Sequence, residues 1–107
     1  MAFLDELSER EVKQSKAIRG VIVRALVRGS NNALLVRQIT NFLMADNLIV
    51  TPDITKHLQY LQDGGYIEFT DHKASAFNAY RRDTVVRLTK KGVDLVEDTI
   101  QDDGVDV

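Results

Sequence analysis

Few side chains in this chain can do covalent or acid–base chemistry, and their spacing narrows what they can do. Cysteine is absent from the 107 residues, which removes thiol nucleophiles, thiolate zinc sites and any disulfide framework. Two histidines remain. His57 adjoins Leu58 on the buried side of an expected helix, and both His57 and His72 read as packed or surface residues rather than catalytic ones. No HExxH, glycine-rich phosphate loop or GxSxG occurs. Asp94, Glu97 and Asp98 lie close together, but a hard-cation site needs oxygens converging from several segments, so they are expected to be solubilising charge. The expectation is a non-enzyme with no cofactor and no metal.

What remains is charge, and it is unevenly distributed. The net charge of −2 hides blocks of alternating sign: residues 1–9 carry −3, 10–28 carry +5, 29–71 carry −3, 72–91 carry +5 and 92–107 carry −6. Such blocks govern the choice of partner more than the sum does. Within the second basic block, Lys73, Arg81 and Arg82 flank the tip of an expected hairpin. An arginine there suits a narrow minor groove, whose negative potential is enhanced, while ordinary solvated charge is the plain alternative. Arg37, with Asn31 and Asn32, lies near the start of an expected helix, where phosphate contact or simple capping is available.

The elements that must hold these residues follow from periodicity. Ser8 and Glu11 have the spacing of a capping box and predict a helix start, continued by Ile18, Val21, Ile22, Ala25 and Leu26 at helical intervals. Gly29-Ser30-Asn31-Asn32 ends it. Leu35, Val36, Ile39, Phe42 and Leu43 predict a second helix over about 33–45. Thr51-Pro52 suits a helix N-terminus, so a third helix is expected over 51–63, with Ile54, Leu58 and Leu61 buried and Thr55, Lys56, Gln59 and Gln62 outward. Gly64-Gly65 stops it by supplying a residue able to take positive φ. The runs 66–70 and 82–88 have strand character and predict a hairpin with a long polar connection. Thr89 predicts the cap of a last helix through Ile100, and 102–107 is expected to fray as an acidic disordered tail.

These readings give one α+β, mainly helical domain over 1–101: three helices, a two-stranded hairpin and a C-terminal helix. The stretch Leu61-Gln62-Asp63-Gly64-Gly65-Tyr66-Ile67 resembles the junction between recognition helix and first wing strand in MarR-, PadR- and ArsR-like winged helix-turn-helix regulators. Leu88-Thr89-Lys90-Lys91-Gly92 is similar to the LTxKG signature that opens their last helix. The compact chain also resembles small winged-helix proteins of Mu-like phages and prophages. The resemblance covers roughly 18–100 and implies a DNA-binding transcriptional regulator. It implies that helix 51–63 presents Thr55, Lys56 and Gln59, with Tyr60 as a further candidate, to the major groove of double-stranded DNA. It also implies a homodimer through the first and last helices, modestly supported by Val12, Val23 and Val27 beside or opposite the main stripe.

One feature departs from a strong DNA reader: the expected recognition helix carries Lys56 against Asp53 and Asp63. With the acidic tail and a pI near 5.6, this motivates a competing reading as a winged-helix protein-interaction module. The two are separated by whether both basic blocks share a face with the hairpin. Arg24 interrupts the apolar run Val21–Val27, and Asp5, Glu6 and Glu9 occupy the N-terminus, so no membrane span or secretion signal is expected. A cytoplasmic location is the expectation, in keeping with the lack of cysteine.

Overall fold

A computed structural model describes residues 2–107, with side chains from Ser8 onward; Asp5 and Glu6 are outside the described side chains. Helix α1 spans Ala2–Arg28, 27 residues, or about 40 Å of helix. The Ser8–Glu11 capping box therefore marks no boundary. Ala2, Leu4, Glu6 and Leu7 are good helix formers and nothing before Ser8 breaks the helix. Residues 8–14 of α1 are exposed, and the helix enters the core only from Ile18, with Ile22, Val23 and Leu26 fully buried. Val23 is thus core, whereas Val12 and Val27 are 51% and 38% exposed.

After α1 the chain differs from the periodicity reading. Gly29 leads into a 3-10 turn over Ser30–Asn32, in which Asn31 and Asn32 take left-handed φ values of 56° and 58°, a region asparagine tolerates. Ala33–Leu35 then forms strand β1, so helix α2 covers only Val36–Ala45. Asn31 and Asn32 accordingly precede a strand and do not cap α2. The α2 start is held by Gln38 Oε1, which accepts from Leu35 N–H at 2.9 Å, and by Thr84 O, which accepts from Val36 N–H at 3.0 Å. Its inner face is Val36, Ile39, Thr40 and Leu43.

Helix α3 runs Thr55–Asp63, four residues later than Thr51-Pro52 predicts. Asp53 is the reason: its carboxylate accepts the Thr55 N–H at 3.0 Å, and this Asx turn satisfies a helix-start donor beyond the proline. The far end matches expectation. Gly65 takes φ +81°, its N–H donates to Gln62 O at 2.9 Å and Tyr66 N–H donates to Leu61 O at 2.9 Å. These are the paired bonds of a Schellman motif, and Leu61 and Tyr66, its apolar partners, are both buried.

Strands β2 (Ile67–Phe69) and β3 (Val85–Leu88) pair antiparallel, with Glu68 opposite Arg87. The expected two-stranded hairpin is thus present but belongs to a three-stranded sheet of order β1-β3-β2, in which Leu34 sits opposite Val86. Val86 and Leu88 turn inward, and Arg87 turns outward to pair with Glu68, the alternation expected of a half-buried strand. The β2–β3 connection folds back rather than projecting as a free tip. Within it, helix α4 (Ala79–Arg82) packs near α2, and Ala76 and Ala79 enter the core. Asp83, at φ 48°, turns the chain into β3.

Helix α5 (Lys90–Val96) starts as expected, with Thr89 Oγ1 accepting from Gly92 N–H at 3.1 Å. It ends before Ile100. The 102–107 segment is ordered against the body, a correction to the frayed tail. Val105 is 5% exposed, Asp106 N–H donates to Lys16 O at 3.1 Å, and Arg24 Nη1 donates to Asp106 O at 2.9 Å. Gly20 permits the approach, because a Cβ there would lie 1.8 Å from Asp106 O. The described residues thus form an α+β, mainly helical chain with five α-helices and one antiparallel sheet. Among them, no helix is long and apolar enough to cross a membrane, and no group of His, Cys, Asp and Glu could hold a metal ion.

Candidate nucleic-acid interface

Two open grooves adjoin the N-terminal half of α3 and share Asp53, Thr55 and Phe77. One, of about 310 Å³, has an apolar floor including Val36, Ile54 and Leu58 and is edged by Tyr80 and Arg81. The other, of about 520 Å³, is lined by Thr51, Asp53, Thr55, Lys56, Gln59 and Phe77. Thr55, Lys56 and Gln59, taken together from the outward side of the third helix, therefore do meet at one groove. Arg81 of α4, remote in sequence, lines the other groove with Thr55.

Lys56 also lines a groove of about 390 Å³ with Lys16 and Arg19 of α1. Part of the first basic block thereby continues the α3 surface. Arg24 and Arg28 do not: they line a groove of about 320 Å³ with Phe42 and Asp46. The first basic block is split between two grooves, so it does not meet the hairpin as one unit.

The remaining predicted residues are placed differently. Arg37 is exposed at the start of α2, 3.6 Å from Asp83 Oδ1 and stacked 5.0 Å from the centre of the Tyr80 ring, which brings it to the rim of the Arg81 groove. Arg82 faces Asp71, its Nη2 donating to Oδ2 at 3.0 Å. Lys73 is exposed, and its N–H is held by Asp71 Oδ1 at 2.9 Å. Neither Lys73 nor Arg82 lines the two α3 grooves.

Asp53, just before α3, and Asp63, at its end, are both engaged within the chain. The hydrogen bonds from the Thr55 side chain and backbone hold the Asp53 carboxyl below the usual carboxylate range. Asp63 Oδ1 accepts from Gln59 Nε2 at 2.7 Å, so base contact by the Gln59 amide would have to break or share that bond.

Tyr60 is a correction. Its hydroxyl donates to Asp102 Oδ1 at 2.9 Å, and Arg19 stacks on its ring at 3.8 Å. Tyr66 donates to the other oxygen, Oδ2, at 2.5 Å, so one carboxylate clasps both tyrosines and the hydroxyl of the half-buried Tyr60 is already engaged within the chain. Burial opposes ionisation of Asp102, but hydrogen bonds from Tyr66, Gly104 N–H and Tyr60, with Arg19 nearby, outweigh it and lower its pKa. Burial, then the Asp102 bond, pushes the Tyr66 phenol up to about 12. The acidic tail meets basic α1 through its backbone: Arg19 and Arg24 donate to the carbonyls of Gly104 and Asp106. His57 is 3% exposed, and burial first, then Arg19 and Lys56, holds its pKa down at about 4. It is a neutral core residue.

Compared with known proteins, the chain matches no family model, no curated protein and no solved structure. Chemically, the α3 grooves offer hydroxyl, amide, ammonium and guanidinium donors around an exposed aromatic ring. Such donors suit phosphates and base edges. Phe77 and Tyr80 are the site residues that sequence reasoning missed. Their one signal was an aromatic pair within an otherwise polar connection.

Proposed function

We propose that this chain is a small winged-helix DNA-binding protein of regulatory type, similar to MarR-, PadR- and ArsR-like regulators and to small winged-helix proteins of Mu-like phages. α2 and α3 are the helix-turn-helix pair, and the β2–β3 segment is a folded-back wing. The observation that carries the reading is that Lys56 and Thr55 link three neighbouring grooves, giving a track from Lys16 across α3 to Arg81 on which Lys16, Arg19, Lys56 and Arg81 outnumber Glu11 and Asp53. Phosphates bind along that track, and Thr55 and Lys56 face the bases. The protein acts as a homodimer in the cytoplasm, using the exposed part of α1 and the last helix.

Fluorescence anisotropy with a generic duplex over a salt series tests this. Binding is expected to weaken with salt, and Lys56→Ala/Arg81→Ala is expected to reduce the magnitude of the log–log slope by about 0.9 for each phosphate that is no longer neutralised. Absence of binding to any duplex at low salt would sink the proposal. A second reading, docking of a protein partner without DNA, draws on the split of the first basic block between two grooves, on the absence of Lys73 and Arg82 from the α3 grooves, and on Asp53, which lines both of those grooves and repels phosphate. Sedimentation equilibrium checks the dimer: a monomer at all concentrations would remove that part.

A further inference from the structure

We propose that Phe77 is a nucleobase-stacking residue, the apolar wedge of the interface, and this rests on the DNA-binding reading above. Phe77 is 80% exposed and lines both α3 grooves. Its neighbours hold it there. Ala76 is 2% and Ala79 0% exposed, anchoring the loop on either side, while Asn78 Oδ1 accepts from Ser75 N–H at 2.7 Å and Asn78 Nδ2 donates to Lys73 O at 3.4 Å. A large ring fixed outward on an anchored loop gains nothing from folding. The ring is left available to a partner.

The surrounding charges select the partner. Lys56 borders one groove and Arg81 the other, so the ring shares each of its grooves with one cation. Cations that track a phosphate backbone around an aromatic face form the arrangement that stacks on bases. In a duplex, an apolar side chain so placed enters a base step and unstacks it. Asp53, beside the ring in both grooves, disfavours phosphate at that point and leaves the apolar face of a base as the better occupant.

The test uses the full chain and a generic duplex. Phe77→Ala is expected to weaken binding by about 5- to 100-fold while leaving the salt slope unchanged, because no charge is removed. The chain contains no tryptophan, so Phe77→Trp installs a single reporter whose emission is expected to be quenched on saturation with duplex. A matching single strand run in parallel separates stacking on an unpaired base from entry into a base step. Equal affinity for wild type and Phe77→Ala, with unquenched emission from Phe77→Trp, would overturn the proposal and leave the DNA-binding reading intact. A wild type that binds no duplex would overturn both. Loss of dimer by Phe77→Ala in sedimentation, at unchanged intrinsic DNA affinity, would assign the ring to a second copy and overturn it as well.

Discussion

Asp102→Asn tests whether the last six residues are part of the fold. The side chain accepts three hydrogen bonds, from Tyr60 and Gly104 to Oδ1 at 2.9 and 2.7 Å and from Tyr66 to Oδ2 at 2.5 Å. Asparagine keeps the shape, removes the charge and replaces one acceptor oxygen by a donor, so one acceptor position is lost. A hydrogen bond to an ionised group contributes about 1.5–3 kcal/mol. Asp102 is only partly buried, so water recovers some of the loss, and about 1–2 kcal/mol of destabilisation is expected. At about 4–8 °C per kcal/mol for a domain of this size, Tm falls by about 4–16 °C.

Thermal unfolding followed by circular dichroism at neutral pH measures it, with Asp103→Asn, at an exposed position, as a control expected within about 0.5 kcal/mol of wild type. The pH dependence has a definite sign. The folded carboxyl titrates below its ordinary value of 3.8, so its contribution is complete above that pH and disappears as pH falls through the folded value. The gap between wild type and Asp102→Asn should therefore close in acid. If Asp102→Asn and Asp103→Asn unfold together at neutral pH, the clasp is not a structural bond and the tail is not part of the fold.

Three further outcomes follow from the same geometry. His57, with a pKa near 4 against 6.5 for a free imidazole, should keep its neutral NMR shift through pH 6.5; the associated stability is complete above 6.5 and is lost toward 4, and an imidazole midpoint near 6.5 would contradict its burial. Tyr66 should ionise at about 12 instead of 10 in an ultraviolet titration, with its stability contribution intact below 10 and lost as pH rises through 12; Tyr66→Phe should abolish that absorbance step. Gly20→Ala puts a Cβ 1.8 Å from Asp106 O and should cost about 1–3 kcal/mol, with faster exchange of the Asp106 amide; unchanged protection there would show that the segment docks some other way.

Several features were legible in the chain because their signals are local. The Gly64-Gly65 stop, the Thr89 cap and the apolar stripes of α1, α2 and α3 each depend on residues within one or two turns, where backbone sterics and periodicity act directly. Thr55, Lys56 and Gln59 share a groove for the same reason, being on one face of one helix. Tertiary contacts decided the rest. Ala33–Leu35 is a strand only because β3 offers Val85–Arg87 as partner, and its own residues favour helix at least as much. Asp102 reaches Tyr60 and Tyr66 across separations of 42 and 36 residues, so composition suggested a solvated acidic tail where a carboxylate clasp exists. Arg81 and Phe77 join the α3 grooves because Ala76 and Ala79 are small enough to be buried and fold the connection back. Short-range sterics and capping wrote the element order into the sequence, whereas the grooves depend on pairings between distant residues that no local pattern encodes.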